Sequence, residues 1–186
     1  MNTLRENKHV LTNALLFQVL WFAAILGEWY WALIPLTLML SHLLVIRKQL
    51  PLSILSLVLL SCIGIVFDSI FNYMGIYQFS VASPEVPYFG LPIWLASLWL
   101  GFCFTLPLSL VWLVKKAYLF VLACALMGPI SYLAGRHLEA LYFSDANILF
   151  LVAEWCVFSI LALIFLQSRL RASSVLPNSF KKESTC

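Results

Sequence analysis

Six long apolar segments limit what this chain can fold into. They cover residues 10–26, 29–46, 51–73, 91–114, 117–135 and 147–167. Each has roughly 17 to 25 residues, the length that an α-helix rising 1.5 Å per residue needs to cross a hydrocarbon layer of ~30 Å. Backbone polar groups in lipid must be satisfied within their own segment, which favours helices over strands. The pattern predicts one all-α domain over residues 1–186, a polytopic membrane protein with six transmembrane helices.

The composition agrees with a lipid environment. The chain is 63% hydrophobic and 10% charged, whereas a soluble domain is nearer half apolar and a quarter charged. A soluble domain of this length leaves too much of its surface in water to hide so many apolar side chains. The net charge of +3 is too small to indicate a nucleic-acid partner.

The basic residues predict the orientation. With the N-terminus in the cytoplasm, ten of the 11 Lys and Arg residues fall on the cytoplasmic side, and Arg136 alone lies outside. An excess of Lys and Arg in cytoplasmic loops is the usual determinant of topology. We therefore expect both termini inside, with a cytoplasmic tail over residues 168–186.

Glu154 is the most conspicuous polar residue in an apolar segment. It lies about one helical turn from the middle of segment 147–167. A carboxylate at that depth costs at least ~2.5 kcal/mol on insertion scales unless it is protonated or paired. It is interpreted either as a buried acid facing a cavity or a basic ligand, or as a protonated acid hydrogen-bonded to a neighbouring helix.

Asp68 lies near the outer end of the third segment, on a face of small and polar residues. Ser61, Gly64, Asp68 and Asn72 follow helical spacing. This face either lines a cavity open to the outer side or packs closely against another helix. Arg136 is expected either to neutralise Asp68, Glu154 or a lipid headgroup, or to form an ordinary ion pair at the membrane surface.

The fourth segment contains small residues at intervals of four, which is typical of close helix contact. They are Ser97, Gly101, Thr105 and Ser109. Pro107 in the same segment predicts a kink.

Neither a metal nor a cofactor is expected. The five cysteines have no CxxC spacing, and four of them fall in apolar segments as small packing residues. The three histidines are scattered, and the chain contains no HExxH, P-loop or G-x-S-x-G motif.

Several short motifs together resemble a known family. They are Asn13 with Phe17-Gln18 and Trp21-Phe22, Asp68-x-x-x-Asn72-x-x-Gly75 leading to Phe79, Pro92-x-Trp94 with Leu98-Trp99, Ser109 with Trp112-Leu113, and Gly128-Pro129-x-x-Tyr132-x-x-Gly135. This set is similar to an uncharacterised family of bacterial inner-membrane proteins, the domain of unknown function 2878, over roughly Asn13 to Leu166. The resemblance implies a multi-pass protein of the bacterial inner membrane and brings no established activity.

Three functions remain open from the sequence. The first is binding or transport of a lipid or small apolar molecule in an outward-facing cavity between the third to sixth segments, with Asp68, Asn72, Glu154 and Arg136 supplying polarity. The aromatic connection 77–89 would cover its mouth. The second is an intramembrane enzyme acting on a lipid or isoprenoid, with Asp68 or Glu154 as acid or base. The third is an accessory subunit that forms an oligomer or joins a membrane partner through its small-residue faces.

Overall fold

Five long apolar helices dominate the fold in a computed structural model that describes residues 2–27, 29–50, 52–79 and 91–175. The helices are α1 (Asn2–Leu26), α2 (Leu33–Ile46, preceded by a 3₁₀ turn at Trp29–Ala32), α3 (Ile54–Tyr73), α6 (Ala117–His137) and α7 (Ile148–Val175). All five, counting α2 with its 3₁₀ turn, are long and apolar enough to cross a membrane. The all-α prediction is confirmed, and among the described residues five helices, rather than the predicted six, have the length and composition of a membrane span.

The shorter elements lie between α3 and α7. They are β1 (Gln78–Phe79), α4 (Ile93–Thr105), α5 (Val111–Val114) and β2 (Leu141–Tyr142). The two strands pair antiparallel, Gln78 with Tyr142 and Phe79 with Leu141.

The predicted fourth segment, 91–114, is not one continuous helix. Helix α4 has 13 residues, which span only ~20 Å, and a turn over residues 106–110 separates it from α5. Pro107 explains the break, because it lacks a backbone N–H and its ring clashes with the carbonyl of the preceding turn. The sequence predicted a kink at Pro107, and the structure has a full interruption.

Asn13 of α1 satisfies the backbone that this interruption exposes. Its amide nitrogen donates to the carbonyl oxygen of Phe104 at 3.2 Å, and its amide oxygen accepts from the Ser109 hydroxyl at 2.7 Å. Asn13 is completely buried. Because a buried backbone carbonyl without a partner costs free energy, this side chain lets the broken helix lie in an apolar interior.

The β1–β2 pair brings two connections together, the one that follows α3 and the one between α6 and α7. Phe79 of β1 also contacts Trp94 of α4, with ring centroids 5.9 Å apart. The C-terminal ends of α3 and α6 and the N-terminal ends of α4 and α7 therefore lie on one side of the molecule, called here the ladder end.

The helices pack in two groups. Helices α1, α2 and α3 each contact α4, whereas α6 packs mainly on α7, and α3 also contacts α7. Helix α7 continues to Val175, eight residues past the predicted segment 147–167 and into the predicted tail. The rest of that tail, 176–186, lies outside the described residues.

Candidate functional site

Four side chains meet at one depth near the ladder end. Asp68 and Tyr132 each lie five residues before the C-terminal ends of α3 and α6. Trp99 and Glu154 lie six residues after the N-terminal ends of α4 and α7. At 1.5 Å per residue, all four are about 7.5 to 9 Å below the helix ends. Together with Tyr77 they form what we call the Asp68 cluster.

Asp68 is the centre of this cluster and is completely buried. The Trp99 indole N–H donates to Oδ2 of Asp68 at 2.5 Å. The Tyr132 hydroxyl donates to both carboxyl oxygens, at 2.6 and 2.7 Å. Tyr77 donates to Oδ1. Three donors converge on one carboxyl group, an arrangement that stabilises a carboxylate, because an ionised carboxyl only accepts hydrogen bonds.

The Tyr77 hydroxyl has two hydrogen-bond acceptors within reach and a single proton to donate. Its hydroxyl lies 2.9 Å from the backbone oxygen of Asp68 and also contacts Oδ1 of the same residue. Tyr77 is 1% exposed, and burial, followed by the neighbouring carboxyls, raises the pKa of Tyr77 above its ordinary value. The phenol therefore keeps its proton and can direct it to either acceptor.

Glu154 completes the cluster from α7. It is 3% exposed, and its carboxyl is close enough to interact with Asp68, Tyr77 and Tyr132. If Asp68 and Glu154 are both ionised, and so can only accept hydrogen bonds, neither carboxyl oxygen of Glu154 has a hydrogen-bond partner among the described residues. Since two carboxylates offer acceptors and no donor, Glu154 and Asp68 can bond only through an added proton.

Glycines allow the aromatic side chains of the cluster to approach. A Cβ on Gly64 of α3 would lie 2.3 Å from the Trp99 ring, and one on Gly128 of α6 would lie 2.1 Å from the Trp155 ring. The rings of Trp99 and Trp155 stack on each other. The two indoles are therefore held between the two glycines, and this packing orients the Trp99 N–H toward Asp68.

A crevice of about 230 Å³ adjoins the cluster. Along α6 its lining runs from Phe120 to Tyr132, roughly 18 Å at 1.5 Å per residue. The remaining walls come from α1, α4, the segment from the turn through α5, and α7, with prominent aromatic contributions from Phe17, Trp21, Trp99, Phe102 and Trp155. The crevice is therefore long, narrow and almost entirely apolar.

The opening of the crevice is on the flank of the molecule. Met127, at the middle of α6, lines the crevice and is 60% exposed. At the ladder end, by contrast, Tyr77 and Leu141 are buried. The sequence placed the mouth at this outer end, under a cover of residues 77–89. Tyr77 and Phe79 pack inward there, and residues 80–89 lie outside the described residues.

The four predicted site residues are not one group. Asp68 and Glu154 lie together, but neither lines the crevice. Asn72 is half-buried one turn beyond Asp68, and its side chain takes no part in the Asp68 hydrogen bonds.

Arg136 is directed away from both carboxyls. It pairs with Asp145 at 2.7 Å and donates to the carbonyl oxygen of Phe143 at 3.1 Å. Asp145 is 84% exposed, so this is the surface ion pair that was one of the two expectations for Arg136. The expectation that Arg136 neutralises Asp68 or Glu154 does not match this geometry.

Sequence reasoning missed the partners of Asp68. Tyr77 was placed in the aromatic connection 77–89 over the cavity mouth, and Tyr132 and Trp99 were noted only as parts of motifs. Trp99 lies 31 residues from Asp68 and Tyr132 lies 64 residues away. Asp68, Tyr132 and the glycine-rich motif around Gly128 all occur in the set that carried the family resemblance, which is the one signal linking them.

A histidine pair was also missed. His9 Nδ1 and His42 Nε2 are 3.0 Å apart, joining α1 to α2. From the sequence, the three histidines were treated as scattered. Among the described residues, no group of three or more potential metal ligands comes together.

Comparison with known proteins gives one match. Residues 10–164 match the family described as protein of unknown function (DUF2878). No curated protein and no solved structure matches the chain.

Proposed function

The chain belongs to the DUF2878 family of proteins of unknown function, and we propose that it is a membrane protein that binds one chain-like apolar molecule, such as a lipid acyl chain, in the crevice beside α6. The observation that carries this proposal is the crevice itself, about 230 Å³ in volume and lined mainly by aromatic and aliphatic side chains. A dry apolar cavity of about 150 Å³ is already large enough to hold a benzene ring. A longer, narrower space suits an extended chain better than a compact ring system.

The position of the opening supports a ligand that arrives from the membrane. Met127 lies halfway along a helix that is long and apolar enough to span the bilayer. A flank opening at that level faces hydrocarbon, where apolar chains are already concentrated. Asp68 would not touch the ligand. It would instead position two residues of the crevice wall, Trp99 and Tyr132, whose polar atoms donate to its carboxyl group.

We further propose six crossings of a bacterial inner membrane, with both termini in the cytoplasm. Helix α4 starts at the ladder end beside Phe79, and α6 starts at the opposite end, because its C-terminal end is at the ladder end. Residues 91–116 therefore traverse the molecule even though α4 is interrupted. The ten-to-one distribution of Lys and Arg supports the orientation.

The enzyme alternative has one favourable observation, the adjacency of Asp68 and Glu154. Two carboxyls in different surroundings can serve as acid and base. However, Trp99 and Tyr132 stand between these groups and the crevice, so a substrate in the crevice would meet aromatic side chains rather than a carboxyl. We therefore rank catalysis second.

The accessory-subunit alternative loses its main support. The small residues of the fourth segment face the interior of this chain, where a Cβ on Gly101 would lie 2.2 Å from Leu20 of α1. Gly64 and Gly128 likewise accommodate internal tryptophans. These residues serve close packing within the protein and are not free to bind a partner.

The binding proposal is tested by filling the crevice. Ala123 lines it, and Ala123→Phe would occupy part of its volume. Ala153→Phe is the matched control, because Ala153 is exposed on the flank of α7. Organic extracts of the purified proteins, analysed by mass spectrometry, should contain a stoichiometric apolar molecule with the wild type and Ala153→Phe, and much less with Ala123→Phe. Identical extracts from all three proteins would contradict the proposal.

A further inference from the structure

We propose that Asp68 and Glu154 form a proton-binding dyad, in which one proton is shared between the two buried carboxyl groups. The proposal does not depend on a ligand in the crevice. It concerns the polar groups behind the crevice wall and assigns them a ligand of their own, the proton.

The first argument is the missing partner of Glu154. Glu154 is only 3% exposed, and both of its carboxyl oxygens are buried and lack a hydrogen bond among the described residues. A buried polar group in that condition is costly. The neighbouring polar group is another carboxyl, that of Asp68, so a proton placed between the two acids supplies the missing bond.

The second argument is charge. Two ionised carboxylates side by side repel each other, and burial without a cation adds a large desolvation cost. Of the groups that face the dyad from the packed elements, Tyr77, Tyr132 and Trp99 supply neutral donors and no positive charge. Arg136, one turn beyond Tyr132, is engaged by Asp145. One bound proton reduces the charge of the pair from −2 to −1, which the three donors can stabilise.

The third argument is that the surroundings accommodate the proton on either carboxyl. When Glu154 holds it, Asp68 is a carboxylate and Tyr77 donates to Oδ1. When the proton moves to an Asp68 oxygen, Glu154 becomes the carboxylate and Tyr77 turns its single proton to the backbone oxygen of Asp68, 2.9 Å away. The net charge stays at −1 and no heavy atom has to move. The two acceptors of Tyr77 thus match the two positions of the proton.

The experiment is infrared spectroscopy of the full-length protein in lipid nanodiscs at neutral pH, in H₂O and in D₂O. Exposed carboxyls are ionised under these conditions, so a carboxylic C=O band that shifts in D₂O reports a buried protonated acid. We expect this band in the wild type. Glu154→Gln should abolish it, because Asp68 alone then remains ionised among its three donors.

Asp68→Asn should give a different result from Glu154→Gln. Glu154 keeps its proton but loses its carboxylate partner, so the band should persist and move to higher frequency. Asp145→Asn, at the surface, should leave the spectrum unchanged. Ala123→Phe should also leave it unchanged, which separates this inference from lipid binding in the crevice.

Two results of the infrared comparison would overturn the inference, and a third test concerns sodium ions. One is the absence of a protonated carboxyl band in the wild type, a measurement that needs no variant to fold. The other is an identical band in the wild type and in folded Glu154→Gln. Loss of the wild-type band when sodium ions are added at constant pH would also overturn it, because the dyad would then be a metal-cation site.

Discussion

The indole rings of Trp99 and Trp155 are stacked, with centroids 4.9 Å apart and planes 16° from parallel. Trp99 belongs to the group of helices around α4, and Trp155 belongs to the α6–α7 pair. The stacked rings therefore join the two groups at the level of the Asp68 cluster. Phe102 and Phe158 surround the pair at centroid distances of 4.6 to 6.3 Å, so the contact is the centre of an aromatic core.

Adding one methyl group at either neighbouring glycine should destabilise the protein. In Gly64→Ala and Gly128→Ala the new Cβ would lie 2.3 and 2.1 Å from the Trp99 and Trp155 rings. The two rings are already stacked on each other, so a new methyl group against either ring forces the aromatic core to shift, and we expect a loss of about 1–3 kcal/mol, typical of an overpacked core. Unfolding in mixed micelles, followed by tryptophan fluorescence, measures it. Ala153→Val, on an exposed position of α7, is the control, and equal stabilities would contradict the tight packing.

Asp68→Asn should destabilise the protein far more than Asp145→Asn. An asparagine has one acceptor oxygen where Asp68 offers two, and its NH₂ group would face hydroxyl or indole donors. Leaving a buried donor unpaired costs about 1–3 kcal/mol. The Arg136–Asp145 ion pair is exposed, and such pairs contribute only ~0.2–1 kcal/mol. The same unfolding measurement compares them, and similar losses for both variants would show that the three donors do not stabilise the fold.

The link between α1 and the interrupted helix should appear in a double-mutant cycle. Asn13→Ala removes the bonds to Phe104 and Ser109, and Ser109→Ala removes one of the same bonds. We expect Asn13→Ala to cost about 1–3 kcal/mol and the two changes to be less than additive, since they share an interaction. Gln18→Ala, on the exposed side of α1, should have little effect. Strict additivity would contradict the shared bond.

The six-crossing topology predicts opposite accessibility for two exposed positions. Lys116 precedes α6, and Ser144 lies in the connection between α6 and α7. In a Cys186→Ser background, Lys116→Cys should react with a membrane-impermeant maleimide only from the cytoplasmic side, and Ser144→Cys only from the outer side. The unsubstituted background should remain unlabelled. Labelling of both positions from the same side would show that residues 117–143 do not cross the membrane.

The sequence predicted well those features that depend only on residues within a single segment. The lengths of α3 and α6 follow from runs of apolar residues, and the break near Pro107 follows from local backbone chemistry, whereas α1 begins at Asn2, eight residues before its predicted segment. The extent of the break was underestimated. A helix can be interrupted fully, and not only kinked, when another element satisfies the carbonyl groups that the break leaves unpaired, and a single segment does not show whether such an element exists. That element is Asn13, 91 residues away from Phe104.

The candidate site was less predictable for a related reason. Asp68 and Glu154 stood out as acids in apolar segments, and they do lie together. Tyr77 and Trp99 did not stand out, since aromatic residues at such depths usually anchor a helix at the membrane surface. Only tertiary packing converts their polar atoms into ligands of Asp68. Of the two expectations for Arg136, the surface ion pair matches the structure, because a local partner, Asp145, satisfies its charge.

The contact between Asn13 and the interrupted helix has a consequence for biogenesis. During synthesis, Asn13 is made long before Phe104, which follows it 91 positions later, and at typical elongation rates this takes roughly 5 to 20 s. In the proposed topology, the first helix spends that interval in the membrane without the partner that its amide requires. Its final position is therefore set only when the turn after α4 is inserted beside it, after α2 and α3 have been made.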